Sequence, residues 1–157
     1  MTDWRLDPWS PADARAVARL HGACFDESWS AGDIRRLMDV SRGFGYVLRL
    51  GRLAQGFTLN RIVGDDCEIL SIGVTPRRRS HGLASRLLEA TIHRATTAGA
   101  SRVILEVAFD NEAGRGLYLR HGFLVIGMRE KYYRRDHGRV DGMILAYAIE
   151  KDGPGVV

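Results

Sequence analysis

Cysteine, lysine and long apolar runs are all scarce in this 157-residue chain. Cys24 and Cys67 lack C-x-x-C spacing and stand among apolar neighbours, so they read as two reduced core thiols, with neither a disulfide framework nor a catalytic cysteine expected. No run of about 18 apolar residues occurs, which excludes a membrane-spanning helix. The opening MTDWRLDPWSP carries early acids and a proline where a secretory leader would be basic and then apolar, so a cytoplasmic protein without membrane attachment is expected. H-E-x-x-H is missing. His21 and His93 fall on helix surfaces or edges, His121 precedes a glycine and His137 sits in a polar loop; no pair has ligand spacing, and no metal site is expected.

Charge of one sign is in modest excess. The net charge is +4 and the pI about 9.4, which favours anionic partners such as nucleotides, nucleic acid, acidic tails or phosphorylated cofactors. Lysine occurs only at Lys131 and Lys151, so arginine carries the positive charge. Guanidinium forks suit phosphate geometry, although an arginine-rich proteome would leave the same bias. With 45% hydrophobic and 27% charged residues the composition is that of a globular protein. A chain of this length buries roughly two thirds of its unfolded surface and needs no staple. One domain over residues 1–151 is expected, followed by a flexible tail at 152–157.

Periodicity divides the chain into elements. SPADARAVARLHGACF has Ser10 as a cap, Pro11 at the first helical position and Ala14, Val17, Ala18 and Leu20 as its apolar residues, predicting a first helix. WSAGDIRRLMDV repeats the device with Ser30 and Asp33 as an imperfect capping box. From Gly43 the pattern turns to β-branched and aromatic residues, predicting antiparallel strands near 44–50, 53–62 and 67–74. A long amphipathic helix from Gly82 to about Thr97 follows, and then SRVILEVAF, a strand of the kind buried on both faces. Asn111 caps a helix through His121, and FLVIGMREKYY and VDGMILAYAI close the chain as strands. A helix between two neighbouring strands requires a parallel pair, so the strand ending at Val74 and the strand at 102–108 should lie parallel in an otherwise antiparallel sheet.

The most informative stretch is SIGVTPRRRSHGLASRLLEA, Ser71 to Ala90. A helix N-terminus leaves its first N–H groups unpaired and carries partial positive charge. Gly82 permits close backbone approach, and Arg77, Arg78 and Arg79 raise the potential there. The turn is suited to a phosphate, the plainer alternative being a surface turn with solvated arginines; GxxxxGK[ST] and GxGxxG are both absent. Val74, Pro76, Arg79, Gly82 and Ala84 match V-x-P-x-x-[QR]-x-x-G-x-[GA], and the chain thereby resembles the GNAT acyltransferase superfamily. That resemblance implies a mixed α/β (α+β) fold: a mostly antiparallel seven-stranded sheet with a central parallel pair and about four helices. It also implies acetyl-coenzyme A as cofactor, held by Ile72, Gly73, Val74, Arg79, Ser80, His81, Gly82, Leu83, Ala84, Ser85 and Asn111. FDESWSAGDI, EILSIGV, ILEVAFDNEAGRGLYLRHGF and REKYYRRDHGRVDGMIL are similar to the RimI-type branch, which acetylates protein N-terminal amines, typically of a small ribosomal subunit protein. Departures are Ser80 and His81 in the turn, and Gly114 and Gly116, which cost up to about 1 kcal/mol each in a helix.

Acyl transfer to an amine needs a base for the amine and a donor for the departing thiolate. The resemblance places the base at Glu106 and the acid at Tyr118. A carboxylate inside VILEVAF is costly unless paired or functional; the plainer role is a strand-end glutamate bonded to backbone amides. For Tyr118 the plainer role is core packing. Glu68 is the rival base, in phase with Leu70 and Ile72, and otherwise a group that orients the incoming ammonium; together the two glutamates predict a negative pocket. Trp29 and Tyr133 are packing residues by default and acceptor-binding residues by resemblance. The expected function is therefore direct acetyl transfer to a primary amine in a ternary complex, the acceptor being a protein N-terminus. A small-molecule amine or lysine side chain, and a non-catalytic coenzyme A or RNA binder, are the alternatives. Nucleic acid is not expected as a partner except through a ribosomal substrate, and either a monomer or a homodimer is compatible.

Overall fold

Ser30 Oγ accepts the Asp33 N–H at 3.0 Å and the Asp33 carboxylate accepts the Ser30 N–H at 3.1 Å. This full reciprocal capping box starts helix α2, Ala31–Val40. The preceding helix has half of it: the Asp13 carboxylate accepts the Ser10 N–H at 3.0 Å, and a 3-10 turn over Pro11–Asp13 leads into α1, Ala14–Cys24. The computed structural model describes residues 3–150; the tail expected at 152–157 lies outside them.

Seven strands form one sheet in the order β1-β2-β3-β4-β5-β7-β6. They are β1 Trp4–Pro8, β2 Phe44–Leu50, β3 Leu53–Val63, β4 Asp66–Val74, β5 Arg102–Ala108, β6 Leu124–Arg135 and β7 Gly138–Ala148. Period and composition reveal six of these; β1 escapes them because WRLDP is short and carries an acid and a proline. Pairing with β2, from Trp4 opposite Leu50 to Pro8 opposite Tyr46, makes it a strand, and an edge strand tolerates the proline. Helix α3, Leu83–Thr97, crosses from β4 to β5, which are parallel as its presence requires. Helix α4, Glu112–Arg120, connects β5 to β6.

Each sheet face has its own core. Val17, Leu20, Ile34 and Met38 of α1 and α2 pack on Val47, Phe57 and Leu59. On the opposite face Leu88 and Ala95 of α3 and Tyr118 of α4 pack on Cys67, Val103, Leu105 and Leu145. Two irregularities position the site. First, β4 and β5 pair only at Asp66–Arg102, Cys67–Val103 and Glu68–Ile104, so they part beyond Glu68 and leave a cleft. Second, Asn60 lies opposite Ile69 and Leu59 opposite Ser71, which makes Leu70 the extra residue of a β-bulge. The bulge reverses the side-chain phase: Leu70 packs toward α1 and α2, whereas Ile72 packs toward α3. Glu68 therefore shares a face with Leu70 but not with Ile72, a correction to simple alternation. Among the described residues no helix is long and apolar enough to cross a membrane.

Phe123 is 1% exposed and its ring lies 5.8 Å from Tyr118 and 5.6 Å from Tyr147. Phe123→Ala should lower stability by about 3–5 kcal/mol, measured as a shift in denaturant midpoint at unchanged slope.

Candidate functional site

The strand-to-helix turn keeps its amides free. Gly82 is the N-cap residue of α3 in left-handed conformation, φ 76°, and no side chain caps the helix. The first bond at this end runs from the Arg86 N–H to the Gly82 carbonyl at 3.2 Å, so the N–H groups of Leu83, Ala84 and Ser85 have no intrahelical acceptor. Residues Pro76 to Gly82 are exposed, and the first turn of α3 contains no acid. Ser80 is left-handed as well, φ 66°, so two such residues flank His81 and fold the chain tightly. Arg79 Nε donates to the Val74 carbonyl at 3.1 Å and Arg78 Nε to Gln55 Oε1 at 3.4 Å. These two arginines shape the turn, and their charge adds to the helix dipole. Ser85 Oγ meets His121 Nε2 at 3.0 Å, tying the start of α3 to the end of α4.

Ile72, Gly73 and Val74 lie beyond the last β4–β5 pair, so no strand lies alongside them on the β5 side. Gly73 is small for a packing reason too: a Cβ there would lie 3.0 Å from Cys24 Sγ and 3.1 Å from the Phe57 ring. Across the cleft Asn111 caps α4, its Oδ1 accepting the Gly114 N–H at 3.0 Å. This explains one departure, because a Cβ at Gly114 would lie 2.7 Å from Asn111 Nδ2. Gly116 would meet only the end of Arg120, at 3.1 Å, and the helix runs unbroken through both glycines.

Tyr118 is 7% exposed and burial pushes its phenol well above the ordinary tyrosine range, so the hydroxyl retains its proton. Arg115 Nε is a buried side-chain polar atom without a partner among the described residues. Glu106 is half-buried. Its Oε1 meets Arg129 Nε at 2.8 Å and its Oε2 accepts from the Tyr133 hydroxyl at 3.5 Å. Tyr133 is also held protonated, by burial first and then by the Glu106 charge. Glu68 Oε2 accepts from Arg61 Nε at 2.7 Å. The negative pocket expected from the two glutamates is therefore corrected to an electrically balanced one.

Trp29 is fixed by a residue read as a helix-surface histidine. His21 is 3% exposed, its ring stacks on Trp29 at 4.5 Å, and its Nδ1 accepts the Trp29 N–H at 3.1 Å. Sequence reasoning also passed over Arg61, Arg129 and Arg135. Arg135 holds Asp110 at 2.8 and 2.9 Å and reaches Asp26 at 3.9 Å, joining the β6–β7 hairpin to the loop just before Asn111. The Arg135 bond keeps the Asp110 carboxyl below its usual range. Nothing in REKYYRR singles out Arg129 or Arg135 from the other charges; only strand register does. Among the described residues no group of three metal-ligating side chains occurs.

Gly82→Ala places a Cβ in open space but in a left-handed conformation, and should cost about 1–2 kcal/mol of stability by backbone strain alone. Equilibrium unfolding checks this. His21 gives a pH dependence: burial lowers its pKa, so the folded chain resists a proton that the unfolded chain accepts below about 6.5. Its contribution is complete above that pH and is lost as pH falls. The denaturant midpoint should drop between pH 7.5 and pH 5.5, and His21→Phe should reduce that drop while lowering stability at both pH values.

Residues 14–123 match the model of the acetyltransferase (GNAT) family. Over 99 residues, 63% of this chain, the sequence is 33% identical to the [ribosomal protein bS18]-alanine N-acetyltransferase of Escherichia coli, and the match spans 66% of that relative's length. Identity to the N-alpha-acetyltransferase RimI of Mycobacterium tuberculosis is 31% over 129 residues, covering 78% of this chain and 80% of the relative. The crystal structure of the ribosomal-protein-S18-alanine N-acetyltransferase from Escherichia coli superposes with a TM-score of 0.86 at 24% identity, covering 98% of this chain and 99% of that one. With its parted parallel strands and its uncapped, exposed helix start, this chain belongs to the GNAT acetyltransferase family.

Proposed function

We propose that this protein transfers the acetyl group of acetyl-coenzyme A to the N-terminal α-amine of a protein, a ribosomal protein being the class of acceptor that the Escherichia coli relative's name supports. The observation that carries the reading is the coincidence of two features. Unpaired amides at Leu83, Ala84 and Ser85 open α3, and the gap between β4 and β5, which starts after Glu68, runs along β4 toward the turn that leads into them. A diphosphate fits the first, because amide donors and helix dipole stabilise an anion without a lysine. An extended amide-bearing arm fits the second, because strand backbone lacks a neighbour there.

The cofactor, when bound, supplies an acetyl group activated as a thioester. Its diphosphate would be held by the turn from Arg79 to Ser85, including Ser80, His81 and Gly82, and its arm by Ile72, Gly73, Val74 and Asn111. Glu106 takes the proton that the attacking amine must lose, from the face of the sheet that carries Glu68. Tyr118, kept protonated by burial, holds a proton for the departing sulfur. Glu68, Trp29 and Tyr133 line the acceptor side, where Tyr133 also orients the Glu106 carboxylate through its hydroxyl. A peptide α-amine has a reference pKa near 8 against about 10.4 for lysine, so a far larger share of it is uncharged near neutral pH, leaving Glu106 only the proton that the nitrogen sheds as it attacks.

Thiol release from acetyl-coenzyme A with peptides of varied N-termini tests the activity. Glu106→Gln should lower kcat by about 10²–10⁴ with unchanged coenzyme A affinity by calorimetry, and Tyr118→Phe should lower kcat without raising KM for the peptide. Wild-type turnover indistinguishable from the uncatalysed reaction, or a fully active Glu106→Gln, would overturn the reading.

A further inference from the structure

Each glutamate of the cleft is matched by an arginine from another strand. Arg61 stands opposite Glu68 in the β3–β4 register and bonds it at 2.7 Å. Arg129 comes from β6, opposite Gly142 of the intervening β7, and reaches past β7 to Glu106 at 2.8 Å. Gly142 leaves room for this crossing. A Cβ at that position would lie 3.5 Å from Glu106 Cδ and 3.1 Å from the Tyr133 ring, in the space where the carboxylate, the phenol and the guanidinium converge. The Arg129 guanidinium also lies over the Tyr132 ring at 4.9 Å, a second contact on a side chain that is otherwise about half exposed.

We propose that Arg129 and Arg61 are specificity-determining residues: by balancing Glu106 and Glu68 they make the acceptor pocket neutral, so that it takes an amine in its uncharged form and rejects lysine and polyamine ammonium groups. The inference rests on the acetyltransferase reading above and adds its basis of acceptor choice. A cation entering beside two guanidinium groups gives up hydration and finds no unpaired counter-charge. An uncharged amine pays no such penalty. At pH 7.5 about a quarter of a peptide α-amine is uncharged but only about one lysine side chain in a thousand. A pocket blind to the ammonium form therefore favours the N-terminus by about two hundred-fold before any side chain of the peptide is read.

The test compares wild type with Arg129→Gln, Arg61→Gln and Arg129→Lys. Acceptors are a lysine-free peptide with a free N-terminus and an N-terminally blocked peptide with one lysine. The ratio of their kcat/KM values should fall by about tenfold or more in the glutamine variants, through a lower KM for the lysine peptide. Arg129→Lys should restore most of it. Binding gives a readout independent of turnover: titrating the free-amine peptide into coenzyme A-loaded protein at pH 7, in two buffers of different ionisation heat, should release close to one proton for wild type and far fewer for Arg129→Gln. An unchanged ratio with both acceptors equally impaired, together with unchanged proton release, would overturn the proposal and leave Arg129 as structural support. Failure of wild type to acetylate either peptide while it binds coenzyme A would instead sink the parent reading, and proton release would still decide the role of the arginines.

Discussion

The parting of β4 from β5 after Glu68 and Ile104 is the constraint on which the rest of the molecule depends. Parallel pairing is maintained for three residue pairs by the α3 crossover and the core around Cys67 and Val103, then given up. Giving it up leaves backbone groups without strand partners, a cost that a protein sustains only where something else satisfies them. The Leu70 bulge belongs to the same device, because it turns Glu68 and Leu70 toward one sheet face and Ile72 toward the other. α3 then begins at the open end of the gap with an uncapped first turn. The two glutamates stand on β4 and β5 and the uncapped turn follows β4, so their placement is set by one strand pair that stops early.

Electrostatics divide the site into two regions. The turn before α3 is positive through exposed arginines and amides that lack acceptors. The region around Glu106 and Glu68 is balanced, with Glu68 held by a guanidinium from the adjacent β3 and Glu106 by one from β6 across the intervening β7. The buried phenol of Tyr118 and the half-buried one of Tyr133 stay protonated because burial disfavours phenolate, helped at Tyr133 by the Glu106 charge. They offer donors where a charged acid would be costly to hold. Arg135 adds a mechanical link, tying the β6–β7 hairpin to the loop that ends at the Asn111 cap.

Much of this was legible along the chain. Ser30 and Asp33 specify their capping box within four residues. The apolar period of Leu83 to Ala95, the stop at Gly99 and the parallel pair follow from local pattern and crossover geometry. So does the phosphate-suited turn, whose glycine and arginines are contiguous. In each case the physical cause acts over a few residues: a cap, a turn or a face of one helix.

What the amino-acid order determined by itself is therefore the four helices, six of the seven strands, the parallel crossover and a turn with the composition to suit an anion, since backbone propensity and hydrophobic period are local properties. Tertiary structure alone decided the rest. It made WRLDP a strand, since edge pairing supplies what its composition lacks. It buried His21 against Trp29, reversed the phase of Ile72 through a bulge, and matched Glu68 with Arg61 and Glu106 with Arg129. Those outcomes depend on which strands become neighbours and in what register. A charge in REKYYRR finds its partner only when β7, with Gly142 clearing the way, lies between it and Glu106.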